Sequence, residues 1–119
     1  MSLVARHLEA NGLPTVIVGS AFDIVEYCGV PRFLFTDFPL GNPCGPPWRQ
    51  DLQRKIAEQA LDLVRDADVS RTTRKSDVLW PSDDDWHPRY GRVKPEDVER
   101  LRALGEERRR KHSEARKPG

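Results

Sequence analysis

The pattern of apolar and polar positions predicts alternating strands and helices in the first half of the chain. β-Branched residues run without interruption over 15–18, and the apolar run 33–35 belongs to a second predicted strand, 33–36. Continuous apolar runs of this kind are typical of strands that are buried on both faces. Between them, residues 21–28 predict a helix that Gly29 ends. A strand, a helix and a strand at this spacing form a βαβ unit with parallel strands, so the pattern predicts an α/β fold.

Further helices flank this unit. A short helix is predicted over 3–10, with Ser2 as its cap, and Ser20 is the predicted cap of the helix between the strands. The strongest helical pattern covers 51–67, where apolar residues recur at spacings of three and four. These apolar residues are Leu52, Ile56, Ala60, Leu63 and Ala67.

The pattern changes after residue 69. Residues 70–75 indicate an exposed connector, and 77–80 indicate one short strand. We therefore divide the chain into an α/β domain over 1–69 and a polar extension over 70–119. The extension contains an irregular segment with tryptophan and a polar C-terminal helix that begins at Pro95. The apolar residues of that helix are Val98, Leu101 and Leu104.

The predicted sheet is small for strands of such apolar character. Two or three strands do not usually form a stable sheet unless more strands or further cover are added. We therefore expect a partner subunit, either a second copy or a different chain, to complete the sheet. The alternative is a marginally stable monomer whose helices fold closely over the strands.

Composition and charge exclude several classes of protein. The net charge is +1, divided into −3 over residues 1–69 and +4 over 70–119. Such a balance gives no support for nucleic-acid binding. The chain has no apolar run of membrane-spanning length and no signal-peptide core at its start. Two cysteines do not form a disulfide framework, which is typical of a reducing compartment. From these features together we expect a cytoplasmic protein that does not bind membranes.

The most informative stretch for chemistry is the loop over 37–47, which follows the second strand and is rich in proline and glycine. Proline fixes φ and glycine permits unusual turns, so the composition indicates a loop of defined shape. In α/β proteins, ligands usually bind at loops that follow the strands. The prolines and glycines are Pro39, Gly41, Pro43, Gly45, Pro46 and Pro47.

Two residues of this loop are candidates for catalysis. Asp37 can orient a substrate amine, or it can cap the turn that Pro39 begins. Cys44 can act as nucleophile, redox partner or metal ligand, or it can be a simple packing residue. Arg32 can pair with Asp37 or bind a substrate carboxylate, but it lies at the opposite end of the strand.

Ser20 and Asp23 are candidates for substrate binding, because they stand at a helix N-terminus that follows a strand. Backbone N–H groups at such a position bind carboxylates or phosphates. Helix capping alone explains both residues, and the Asp23 carboxylate would repel an anion at this position. The acidic and aromatic residues over 83–87 include one histidine, and with no second histidine at usable spacing we predict a solvated turn and no metal site. No motif identifies a cofactor.

Several of these segments resemble a known family. The segments 12–16, 20–24 and 31–41, followed by Gly45-Pro46-Pro47, are similar to the C-terminal part of the glycine/sarcosine/betaine reductase and D-proline reductase selenoproteins. The string Asp-Phe-Pro-Leu-Gly at 37–41 is the most specific part. The resemblance covers roughly residues 10–67.

The resemblance implies a split enzyme. In that family the reacting selenocysteine or cysteine lies earlier in the polypeptide with a second cysteine nearby, whereas this chain has no Cys-x-x-Cys. It implies an accessory subunit of an oxidoreductase or lyase that acts on a small amino-acid-like substrate. Its loop, with Phe38, Pro39 and Asn42, would form one wall of an active site whose nucleophile is on a larger partner chain. The alternatives are a non-catalytic protein-interaction module and a thiol enzyme that uses Cys44.

Overall fold

The structure is a computed structural model that describes residues 1–82 and 85–115, with side chains as far as 113. The chain divides into two compact units, Met1–Asp83 and Asp84–Gly119. The elements of the first unit are α1 (Ser2–Ala10), β1 (Ile17–Gly19), α2 (Phe22–Cys28), β2 (Arg32–Phe35), α3 (Gln50–Asp66) and β3 (Thr72–Lys75). The second unit contains a 3-10 turn, Pro95–Asp97, and α4 (Val98–Ala115).

Within the described residues, the strands form one three-stranded sheet in the order β1–β2–β3. Both pairs are parallel, with Ile17 beside Phe33 and Phe35 beside Lys75. Parallel neighbours need a crossover connection, and α2 and α3 serve as crossovers because each lies between two consecutive strands. The α/β fold with a parallel βαβ unit, as predicted from the sequence, is confirmed.

The central strand β2 separates two groups of buried side chains. Phe33 and Leu34, which follow each other in β2, are fully buried on opposite faces of the sheet. The α3-side core consists of Leu34, Phe38, Ile56, Ala60, Leu63 and Val78. The α2-side core consists of Val25, Val30 and Phe33. Since burial of one such side chain contributes about 1.5–3 kcal/mol, these groups hold both helices on the sheet.

The beginnings of the first two helices differ from the predicted caps. Ser2 is the first residue of α1, with Met1 in the cap position, and Ala21 rather than Ser20 occupies the cap position of α2. Neither helix has a side-chain cap among the residues that the structure describes. Ser20 comes directly after β1, so the chain turns into the helix one residue later than expected. Gly29 ends α2 with φ +67°, as the sequence indicates.

The predicted connector over 70–75 is wrong, because it contains β3. Backbone hydrogen bonds from Thr72 N to Pro31 O (3.0 Å) and from Ser76 N to Phe35 O (2.8 Å) hold this strand beside β2. The strand expected over 77–80 is absent from the described structure, where Val78 instead lies in the α3-side core. The segment after residue 69 therefore begins with a strand of the sheet.

The second unit contains the polar helix that the sequence predicts. Pro95 begins the 3-10 turn that leads into α4, where its missing N–H is tolerated. Val98, Leu101 and Leu104 remain about half exposed along α4. None of the described helices combines the length and the apolar character needed to cross a lipid bilayer.

Candidate functional site

The carboxyl ends of the strands bring three short segments to one edge of the sheet. Gly19 leads into Ser20, Phe35 leads into Thr36 and Asp37, and Lys75 leads into Ser76 and Asp77. Because all described strands are parallel, these segments lie at the same edge. This is the edge at which α/β proteins bind ligands. We refer to it as the carboxyl edge.

Thr36 ties the proline-rich loop to the sheet. Its side chain is fully buried, and its backbone N–H donates to Gly19 O (2.9 Å). Its hydroxyl Oγ1 donates to Pro43 O at 2.8 Å. This hydrogen bond joins the two ends of the segment 36–43 and so keeps Pro43 close to the end of β2. The loop therefore has a defined shape, as its composition indicates.

Two further backbone bonds shape the tip of the loop. Asn42 N donates to Pro39 O and Gly45 N donates to Asn42 O, each at 3.1 Å. Gly45 has φ +109°, and a Cβ there would lie 3.3 Å from Ile56 Cδ1 in α3. Glycine is needed at this position both for its backbone angle and for close packing on the helix. The predicted loop residues Pro39 and Asn42 are half-buried and form these turns.

Phe38 anchors the loop in the protein interior. Its ring is 2% exposed and lies in the α3-side core, with its centroid 5.4 Å from that of Trp80. On the other side of the loop, Gln53 of α3 donates its side-chain N–H to Pro46 O at 2.8 Å. Phe38 is therefore a packing residue in this structure, and the predicted contact between Phe38 and a substrate stays a prediction.

Asp37 lies at the base of the loop beside a cation. Lys75 Nζ, at the end of β3, lies 3.3 Å from Asp37 Oδ2. The side chains are 37% exposed for Asp37 and 62% exposed for Lys75, so solvent and small molecules reach both charges. Exposed pairs of this kind contribute little to stability. The pair thus offers an anionic and a cationic group side by side.

A second hydroxyl and carboxylate follow β3. Ser76 is buried, and its Oγ donates to Gln59 Oε1 at 2.7 Å. Asp77 accepts hydrogen bonds from Lys55 Nζ (3.1 Å) and from the Gln59 side chain. The bond from Lys55, and then that from Gln59, holds the pKa of the Asp77 carboxyl below its ordinary value. This network fastens the end of β3 to α3.

The other candidate residues are spread along this edge. Ser20 follows β1 and is half-buried, while Asp23 is exposed in the first turn of α2. Cys44 is exposed in the loop, next to the Pro43 carbonyl that Thr36 binds. The structure thus places Ser20, Asp37 and the loop at one edge of the sheet. The roles of these residues in binding and catalysis stay predictions.

Arg32 lies at the opposite edge and does not pair with Asp37. Its guanidinium Nη1 contacts Glu9 Oε1 at 2.5 Å and the Thr15 carbonyl at 3.4 Å. Within the described part of the chain, Arg32 Nε is buried without a hydrogen-bond partner. A cleft of about 490 Å³ at this amino edge is lined by Arg32, Glu9 and Ser70 among others. The lining residues include two cations, Arg6 and Arg32, and two anions, Glu9 and Asp68, so the cleft offers no excess of either charge to a ligand.

Metal binding has no support from the described residues. Within them, no group of three or more His, Cys, Asp or Glu side chains is arranged to hold an ion. In the second unit, His87 Nδ1 and Asp85 Oδ1 lie 2.6 Å apart, and the bond lowers the pKa of the Asp85 carboxyl. Asp83 and Asp84, the other acids of the sequence cluster, lie outside the described residues.

Comparison with known proteins shows a distant similarity over half of the chain. No family profile matches the chain, and no solved structure matches it significantly. The chain is 30% identical over 59 residues to a protein from Acetoanaerobium sticklandii named D-proline reductase subunit gamma. The aligned part is 50% of this chain and 24% of the relative, so the chain spans about a quarter of the length of the curated relative that it matches. This similarity supports the resemblance to a reductase family, at the level of a distantly related subunit.

Sequence reasoning missed the contribution of β3 to the carboxyl edge. The same dipeptide follows β2 and β3: a buried residue with a hydroxyl group, and then an aspartate that pairs with a lysine. The two copies are Thr36-Asp37 and Ser76-Asp77. The repeated hydroxyl–aspartate dipeptide is a usable signal in the sequence, because its first copy lies at the end of a predicted strand.

Proposed function

We propose that this chain is an accessory subunit of a cytoplasmic heteromeric reductase related to D-proline reductase. The loop over 37–47 forms one wall of the active site, and a larger partner chain supplies the nucleophilic cysteine or selenocysteine. The proposal is carried by one observation. A loop that Thr36 holds in shape stands at the carboxyl edge of a chain that aligns with only 24% of a reductase subunit.

The charges at the carboxyl edge suit a small amino acid. An amino acid such as the D-proline named in the relative carries an ammonium group and a carboxylate close together. Asp37 and Lys75, 3.3 Å apart and both partly exposed, present the complementary charges. In the proposed site, Asp37 binds the substrate amine and Lys75 binds the carboxylate, and ligand binding replaces their contact with each other.

The two cysteines of the chain are the reason why the proposal includes a partner. Cys44 is the cysteine of the loop, and Cys28 lies in α2, so the sequence offers no pair of neighbouring cysteines for a reductive cycle. A dithiol or selenol–thiol pair on the partner, facing the loop, supplies that chemistry. The isolated chain is therefore expected to be inactive.

The test is reconstitution of turnover from the two purified chains. D-Proline and related small amino acids are incubated with a dithiol reductant and with this chain, the larger chain that co-purifies with it, or both. We expect turnover with both chains and none with either alone. Asp37→Asn is expected to raise KM at least tenfold, because it removes the charge that meets the amine.

The matched control is Asp66→Asn, which removes an exposed aspartate paired with Arg65 at the end of α3. It should leave KM within twofold of the unaltered complex. Turnover by the isolated chain, or equal effects of Asp37→Asn and Asp66→Asn, would refute the proposal.

The same assay separates the alternatives. Cys44 is exposed in the loop, and if the protein is a thiol enzyme that uses Cys44, then Cys44→Ser abolishes turnover. A complex that forms but converts no small amino acid under any condition would favour the protein-interaction module. The half-exposed Val98, Leu101 and Leu104 of α4 are then the first surface to examine.

A further inference from the structure

The cleft at the amino edge of the sheet is large enough for a small organic molecule. Its walls come from α1, from the residues around the start of β2 and from the segment 67–70 between α3 and β3. Its volume is about 490 Å³, and ligand-binding clefts in proteins usually measure about 300–1,000 Å³. The proposed function uses the carboxyl edge of the sheet, so this cleft has no role in it.

Arg32, which lines the cleft, has donors that the described protein groups do not use. Its Nη1 contacts Glu9 Oε1 at 2.5 Å, and Thr15 N and Thr15 Oγ1 donate to the same oxygen at 2.5 Å and 3.1 Å. This cluster fixes the orientation of the guanidinium. Within the described residues, neither the buried Nε nor Nη2 has a hydrogen-bond partner. Nε and Nη2 together form an edge that can bind a carboxylate through two parallel hydrogen bonds.

Two other lining residues carry charges without an ion-pair partner in the described part of the chain. Arg6 of α1 donates from Nη1 to the backbone carbonyl of Cys28 at 3.2 Å, and it contacts no described carboxylate. Asp68 is exposed, and no described group forms an ion pair or a hydrogen bond with it. It follows the end of α3, where the helix dipole favours a positive charge. The cleft thus presents unpaired groups of both signs.

We propose that this cleft is a second ligand site, which binds a small zwitterion of the amino-acid class. The ligand carboxylate accepts hydrogen bonds from Nε and Nη2 of Arg32, with Arg6 as the second cation, and the ligand ammonium group meets Asp68. A zwitterion suits the cleft because the lining has two cations and two anions, so that a ligand with a net charge would leave one sign unmatched. The inference does not rest on the proposed function, since the two sites share no residue.

NMR titration of the full chain with three matched probes tests the site. The probes are D-proline, pyrrolidine, which lacks the carboxylate, and cyclopentanecarboxylate, which lacks the ammonium group. All three contain a five-membered ring, so they differ mainly in charge. We expect D-proline to shift the Arg32 Nε–H signal in a saturable way. It should bind there at least tenfold more tightly than either of the other probes, because only D-proline satisfies both signs of charge.

Two pairs of variants at exposed residues locate the charges that bind the probe. Arg6→Gln should weaken D-proline binding at least fivefold, and Arg71→Gln less than twofold. Arg71 is the matched control because it also donates to a carbonyl near the end of α2, at 3.4 Å, but does not line the cleft. Asp68→Asn should weaken binding at least fivefold, and Asp66→Asn, which alters an aspartate outside the lining, less than twofold. Equal effects within either pair overturn the proposal.

The other outcomes separate this site from its alternatives and from the proposed function. If pyrrolidine or cyclopentanecarboxylate binds as tightly as D-proline, the cleft takes a simple ion and the proposal is overturned. An Arg32 Nε–H signal that no probe shifts means that water satisfies this donor, which also overturns it. Shifts at Lys75 without a shift at Arg32 support the proposed function and overturn the second site. Saturable binding at Arg32 supports the second site even if reconstitution gives no turnover, a result that refutes the proposed function alone.

Discussion

Removal of the Thr36 hydroxyl should loosen the proline-rich loop without disturbing the sheet. Thr36→Val keeps the shape of the side chain and its β-branching but loses the hydrogen bond to Pro43 O. The backbone bond from Thr36 N to Gly19 O stays, because it does not involve the side chain. The variant therefore tests whether the hydroxyl holds the loop at the carboxyl edge.

The expected loss of stability follows from burial. A typical intramolecular hydrogen bond contributes about 0.5–1.5 kcal/mol, and an acceptor left unsatisfied in a buried site costs about 1–3 kcal/mol. Thr36 is fully buried, whereas Pro43 is half-buried and its carbonyl can regain some water. We therefore expect the free energy of unfolding to fall by about 1–2 kcal/mol. For a domain with about 5–15 kcal/mol of stability, such a change is easily measured.

Urea unfolding followed by circular dichroism measures the loss. The reaction rate of the Cys44 thiol with a thiol reagent reports on the loop, and it should rise in Thr36→Val because Cys44 follows Pro43. The control is Thr72→Val, which removes a similar bond from Thr72 Oγ1 to Val69 O (2.7 Å) at a more exposed site.

The control should lose less than about 0.5 kcal/mol, as expected where water can replace the lost partner. Equal losses in Thr36→Val and Thr72→Val, or an unchanged rate of Cys44 reaction, would show that the hydroxyl does not hold the loop.

The remaining predictions concern loop packing and pH. Gly45→Ala should lower the free energy of unfolding by about 2 kcal/mol and Gly41→Ala by about 1 kcal/mol, because both have positive φ but only Gly45 faces Ile56 at close range. A larger loss for Gly41→Ala in urea unfolding would contradict the packing argument. The pKa of Asp51 is lowered from 3.8 to about 2, first by the hydrogen bond from Arg49. Its contribution to stability is therefore complete above pH 3.8 and is lost as the pH falls through about 2. Titration followed by NMR should show the pKa rising towards 3.8 in Arg49→Gln, and an unchanged value would remove Arg49 as the cause.

Much of the candidate site follows from local sequence. The strand before Asp37 is apolar, and the prolines and glycines after it indicate a shaped loop, so the position and rigidity of the loop were predictable. The partners of its residues were not. That Thr36 binds Pro43, that Phe38 turns inward and that Asp37 contacts Lys75 depend on groups up to 38 residues apart in the chain.

The parallel βαβ unit, the amphipathic α3 and the polar α4 are predictable from local sequence, because each carries its own periodic pattern or its own turn residues. The strand β3, in contrast, depends on long-range contacts. Thr72 to Lys75 is polar and mostly exposed, so its local pattern resembles that of a connector, and its strand conformation comes from hydrogen bonds to β2. Because Lys75 is the last residue of β3, its contact with Asp37 forms only when β3 pairs with β2. The charge pair at the carboxyl edge therefore depends on strand pairing rather than on local sequence.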